Sequence, residues 1–127
     1  MARILGLGGL FFKAADPAAT RAWYARVLGI EFDSWGGTVF TPEAAAAQPG
    51  AGTVFCPFDA DTGYFAPSTG DFMFNLMVDD LDGMLTQCAA EGIGPIAPIL
   101  DEANGRFAHI VDCDGRKIEL WQPKPMS

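Results

Sequence analysis

The two halves of this chain nearly repeat each other, and that restricts its fold more than any other feature. Leu7 to Phe32 reads LGGLFFKAADPAATRAWYARVLGIEF, and Phe72 to Ile96 reads FMFNLMVDDLDGMLTQCAAEGIGPI. Each segment is an apolar strand, an aspartate, a helical pattern, and a Gly-Ile that leads into more strand. Asp80 stands 64 residues after Asp16, about half of the 127-residue chain. One supersecondary unit is therefore used twice within a single domain, a size at which roughly two-thirds of the unfolded surface can be buried.

The helix signals agree in both copies. Asp16 is placed to N-cap the first helix, with Pro17 at the position where no amide donor is needed. The apolar stripe Trp23, Tyr24, Val27 and Leu28 has helical spacing, and Gly29 supplies a left-handed stop. In the second copy Asp80 caps, Leu81, Met84, Leu85, Cys88 and Ala89 form the stripe, and Gly92 ends it. Short strand runs follow each helix: Ile30–Phe32, Thr38–Phe40 and Thr53–Phe58 in the first half, then Ile93–Ile99, Arg106–Val111 and Lys117–Trp121 in the second. Pro42–Gly52 reads as a flexible loop, and Ala60–Gly70 joins the halves. The expected class is α+β: two tandem βαβββ modules, residues 1–60 and 70–124, in a curved half-barrel sheet with helices outside.

Composition excludes several functions. The net charge is −8 and no Lys/Arg cluster is present, so neither nucleic acid nor an anionic membrane surface is an expected partner. Cys56, Cys88 and Cys113 are odd in number and widely spaced, which suggests neither zinc nor a disulfide framework. Free thiols point to the cytoplasm. The segment MARILGLGGLFFKAA faintly imitates a secretion signal, but its match to the second half assigns it to the fold. GLGG lacks the third glycine of a dinucleotide fingerprint, and DADTG lacks the geometry of a calcium loop.

Two ionisable residues lie in otherwise apolar strands near the end: His109, the only histidine, and Glu119, within GRFAHIVDCDGRKIELWQP. Side chains two apart in a strand share a face, so Phe107 would accompany His109, and Trp121 would accompany Glu119. A histidine suits proton transfer near neutral pH, and a carboxylate in an apolar cleft tends toward a raised pKa. The bland alternative is a paired, non-catalytic set, with Glu119 held by His109 or Arg106. A one-residue slip in register would instead turn His109 toward the helices.

The paired modules, with WYARVLGI ending the first helix and D-x-D-G-x-x-I-E-L near the end, resemble the vicinal oxygen chelate superfamily. That superfamily includes glyoxalase I, extradiol dioxygenases, methylmalonyl-CoA epimerase, and the fosfomycin and bleomycin resistance proteins. The resemblance covers nearly the whole chain. It implies that Glu119 occupies a metal-ligand position on the last strand. The other ligand positions fall on Gly9 and Met73, neither of which suits a hard divalent cation. The expectation is thus no cofactor, no metal site beyond the retained Glu119, and at most a weakly held divalent ion.

A concave pocket is expected from Phe11, Met73, Asn75, Phe107 and Trp121, with His109 and Glu119 as candidate catalytic groups. The expected function is binding of a small, aromatic ligand by a metal-free homodimer, as in the bleomycin resistance proteins. The alternative is a lactoylglutathione-lyase-like isomerase or lyase on a small carbonyl compound, using His109 and Glu119 as acid and base.

Overall fold

The computed structural model describes residues 1–125. The second half folds in the predicted order of elements, but residues 93–99, expected as a strand, carry no strand assignment. The strand forms instead at Leu100–Glu102, where the chain can pair with the following hairpin arm. Strand β1 (Phe74–Met77), helix α3 (Leu81–Ala90), and strands β2 (Leu100–Glu102), β3 (Gly105–Val111) and β4 (Lys117–Pro123) follow in chain order. They build a four-stranded mixed sheet in the order β1-β4-β3-β2, with β1 parallel to β4 and the other pairs antiparallel. The sheet is open at both edges, as in a half-barrel.

From the first half come helices α1 (Pro17–Leu28) and α2 (Pro42–Ala46). Asp16 caps α1 by accepting from the Ala19 amide at 3.2 Å, and Gly29 ends it at φ 71°. Asp80 caps α3 by accepting from the Gly83 amide at 3.0 Å, and Gly92 follows the helix at φ 78°. Both caps match the sequence reading. The short α2 occupies part of the expected flexible loop, where Pro42 opens an alanine run.

The first-half strands differ from expectation: residues 1–14, 30–40 and 51–58 carry no strand assignment. Strand propensity is satisfied only by pairing, and glycines at 6, 8, 9, 36, 37 and 52 weaken these segments entropically. Ile4, Leu5, Phe11, Phe40, Val54 and Phe55 are left exposed.

One core lies between the sheet and the helices. Trp23, Tyr24, Val27 and Leu28 of α1, with Leu81 and Cys88 of α3, pack on Phe74, Ala108, Ile110, Ile118 and Leu120. Full burial of such aliphatic side chains contributes about 1.5–3 kcal/mol each. Cys88 is a buried core residue, and burial pushes its thiol up, away from nucleophilic use. Gln87 Nε2 donates to the Val27 carbonyl at 3.2 Å, fastening α3 to α1. Because Ala108, Ile110, Ile118 and Leu120 face the helices, the residues between them face the other way.

Candidate ligand-binding site

Sheet register brings the two ionisable residues together. His109 and Glu119 are direct cross-strand partners on β3 and β4, and Asn75 of β1 is the partner of Glu119 on its other side. His109 Nε2 lies 2.8 Å from Glu119 Oε2, and Asn75 Nδ2 donates to Oε1 at 2.7 Å. All three project from the face opposite the helices. Arg106 is not part of this set, since it pairs with Asp82 at 3.0 Å on the surface.

A fourth member comes from outside the sheet. Tyr64, in the segment that joins the halves, donates its hydroxyl to Glu119 Oε2 and lies 3.2 Å from His109 Nε2. Its ring meets the His109 imidazole edge-on at 5.6 Å and stacks on Phe58 at 5.8 Å. The Lys117 ammonium sits 4.6 Å from the Tyr64 ring centroid and donates to the Tyr64 carbonyl at 2.5 Å. Neither Tyr64 nor Lys117 was singled out by the sequence. Lys117 stands two before Glu119 in a strand, so alternation alone could have placed it on this face.

The electrostatics follow from these contacts. Burial pushes the Glu119 carboxyl up, but hydrogen bonds from Tyr64, His109 and Asn75, with the imidazole's charge, hold it below its ordinary value. The direction is opposite to that expected of a carboxylate in an apolar cleft, because the cleft supplies three donors to the charged form. Tyr64 moves upward through burial, its bond to Glu119 and the carboxylate's charge, so it remains a neutral phenol.

The other expected pocket residues are distributed unevenly. Phe107 and Trp121 are cross-strand partners whose rings stack at 6.1 Å, beside the dyad on the same face. Gly105 allows this, since a Cβ there would collide with the Trp121 indole, whose Nε1 donates to the Asn104 carbonyl at 3.1 Å. Met73 is half-buried just before β1. Phe11 is 93 % exposed and is not brought to the site. Its neighbour Phe12 packs on Phe74 at 4.9 Å and beneath Arg116 at 4.9 Å, as alternation along an extended segment requires.

Two surface hollows lie elsewhere. One of about 720 Å³ runs beside Arg21, Ala25, Gly29 and Asp33 along α1. Another of about 510 Å³ is lined by Leu5, Leu7, Phe40, Thr53 and Met77. Met77 follows Asn75 by two residues, so this second hollow borders the dyad face. Over the dyad itself lies the Tyr64 side chain.

A divalent cation of the kind the resemblance implies fits poorly. Glu119 and His109 are the only two such donors that meet here; among the described residues no group of three His, Cys, Asp or Glu is placed to hold a metal. Both carboxylate oxygens already accept hydrogen bonds.

No family model matches the chain, and no curated protein matches it. Among solved structures it is similar to TioX from Micromonospora sp. ML1, with 18% sequence identity and a TM-score of 0.50. That likeness covers 90% of this chain and 93% of TioX. The fold is therefore distantly like the vicinal oxygen chelate fold. Among the described residues, no helix is long and apolar enough to cross a membrane.

Proposed function

We propose that this chain is a small-molecule-binding protein of vicinal-oxygen-chelate type that works without a metal, using Glu119 and His109 as polar anchors. The supporting observation is a carboxylate–imidazole pair buried on the sheet face that does not pack against helices. A pair whose only role was structural would more economically be apolar, since desolvating charges offsets most of their attraction. Phe107 and Trp121 add an aromatic wall beside the pair.

Binding is favoured over catalysis by the state of Glu119. A carboxylate that accepts from three donors and is held below its ordinary pKa is a weak base, and general-base catalysis needs a pKa nearer the working pH. The isomerase or lyase reading keeps one point of support, the 2.8 Å contact that could pass a proton between His109 and Glu119. We further propose that the protein acts as a homodimer in the cytoplasm.

The test uses the single histidine as a reporter. A fragment library is titrated into the protein while the His109 ring resonances and the Trp121 indole resonance are followed by NMR. Binding fragments should move both signals together, and Glu119→Gln should weaken them at least tenfold. Fragments that bind while leaving His109 unmoved would place the ligand elsewhere and end this reading.

A further inference from the structure

We infer that Tyr64 occupies the position of the ligand itself, so that the site accepts a neutral phenol or similar aromatic alcohol once Tyr64 swings out. This deepens the binding reading above and rests on it.

The first support is the environment of the side chain. The phenol is met at every part: a carboxylate accepts from its hydroxyl, an imidazole lies 3.2 Å from the oxygen, a phenyl ring stacks on one side and an ammonium lies over the ring. These are the contacts of a recognised aromatic alcohol, delivered here from a segment without helix or strand. A cation over a ring face and an aromatic stack each add directional preference beyond burial.

The second support is how lightly the segment is held. Residues 59–70 are turns and bends, closed by local backbone bonds such as Thr62 to Asp59, Ala66 to Gly63 and Ser68 to Phe65. Among the described residues, the hydrogen bonds from this segment to the sheet run through Tyr64 alone: its hydroxyl, and its carbonyl held by Lys117. Tyr64 is 37% exposed, so its hydroxyl is inserted while the flank of its ring remains open to water. Displacing it breaks no helix and no strand pairing.

The third support is charge. The ligand's donor must face Glu119 Oε2, so an anionic group there would be repelled, and a neutral hydroxyl donor is selected. The upward shift of Tyr64 reports the same preference for the neutral phenol. With Tyr64 displaced, Asn75 and His109 still hold the carboxylate in place.

The test replaces the side chain by a free molecule of the same chemistry. Tyr64→Ala is prepared and titrated with 4-methylphenol, which is the tyrosine side chain itself, and in parallel with toluene and benzoate. Thermal unfolding and the His109 ring resonances are read. The inference expects 4-methylphenol to raise the melting temperature of Tyr64→Ala and shift His109 saturably. Toluene and benzoate should bind at least tenfold more weakly, and wild type should bind 4-methylphenol more weakly than the variant. Adding Glu119→Gln should remove the preference for the hydroxyl.

Equal effects of toluene and 4-methylphenol would reveal a generic apolar hole and overturn the inference. Should Tyr64→Ala fail to fold, Tyr64→Leu keeps an apolar residue in the segment while vacating the hydroxyl position. If neither variant folds, Tyr64 is a fixed part of the sheet's cover and the inference fails. The two readings fail separately. Fragments that move His109 in wild type while 4-methylphenol does nothing to the variants would leave the binding function standing and remove only the phenol.

Discussion

His109 and Glu119 face each other across the β3–β4 ladder, with Nε2 2.8 Å from Oε2 and side chains only 5% and 11% exposed. Asn75 reaches the other carboxylate oxygen from the opposite neighbouring strand at 2.7 Å. The geometry of the pair is therefore fixed by the register of three strands and not by a loop. A slip of one residue would send Glu119 and Trp121 to the helix side and bring Ile118 and Leu120 out, which the buried core does not permit.

Removing the carboxylate should be costly. Glu119→Leu strands the imidazole, the Asn75 amide and the Tyr64 hydroxyl, and a buried polar group left without its partner costs about 1–3 kcal/mol. Urea unfolding near neutral pH should show a loss in that range, with a smaller one for Glu119→Gln, which still accepts a hydrogen bond. The folded-state pKa of Glu119 lies below its ordinary value of 4.5. Its contribution is therefore complete above the unfolded pKa and is lost as pH falls through the folded one. The gap between wild type and Glu119→Gln should be constant from neutral down to about pH 5 and shrink in stronger acid. A gap that widened in acid would contradict the assignment of donors.

The tie between α1 and the β3–β4 turn yields a second prediction. The Asp112 side chain is fully buried and accepts from the Tyr24 hydroxyl at 2.5 Å, from the amides of Asp114 and Arg116, and from the Arg116 guanidinium at 3.1 Å. Losing one neutral donor costs about 1 kcal/mol, the expectation for Tyr24→Phe, whereas Asp112→Ala should cost about 3 kcal/mol by leaving several donors and a guanidinium without their acceptor. Burial, with the bond to Asp112 and its charge, raises the Tyr24 pKa above the ordinary 10.0. The neutral phenol then contributes stability that is complete below pH 10.0 and is lost as pH rises toward the folded value. Alkaline unfolding should be less steep in Tyr24→Phe than in wild type, as far as circular dichroism can follow both.

These two networks also mark how far the sequence could be read. Asp16, Pro17, Gly29 and Asp80 announce their helices because capping is decided within a few residues. Strand alternation puts Phe107 with His109 and Trp121 with Glu119 by counting, whereas the face that His109 takes stayed open, because it depends on the pairing register between β3 and β4. The first-half strands were not secured by their pattern. Pairing is a nonlocal property, and a glycine-rich apolar run says nothing about which edge it meets. Tyr64 lay beyond reach for a related reason: it sits among turn residues, where no periodicity fixes direction, and its partners are 45 and 55 residues away. Phe11 has the parity of the site face, since Phe12 packs on the core residue Phe74, but its segment joins no ladder that would hold it against the sheet, and it stays exposed.

The exposed first half should show itself in solution. Ile4, Leu5, Phe11, Phe40, Val54 and Phe55 carry apolar side chains into water, and exposed apolar surface on this scale marks an association site. The proposed occupant is a second copy of this chain, because the same strand pattern that builds the sheet of the second half recurs in these segments. Light scattering coupled to size exclusion should give the mass of a dimer, and Val54→Ser with Phe55→Ser should shift it toward monomer. A wild-type monomer at every concentration would refute the homodimer.

Lys117 decides how firmly the segment bearing Tyr64 is held. Its ammonium is one of the two polar links between that segment and the sheet, donating to the Tyr64 carbonyl at 2.5 Å, and it is nearly buried beside the carboxylate face. Lys117→Met keeps the apolar stem and removes the donor and the cation over the ring. Losing a hydrogen bond from a charged group costs about 1.5–3 kcal/mol, and here that loss should fall on the attachment of the segment more than on the sheet. Chymotrypsin should then cut at Tyr64 or Phe65 several-fold faster than in wild type, while the amides of β3 and β4 keep their hydrogen-exchange protection. Equal loss of protection across the sheet would mean that Lys117 supports the fold as a whole, and that the segment does not open by itself.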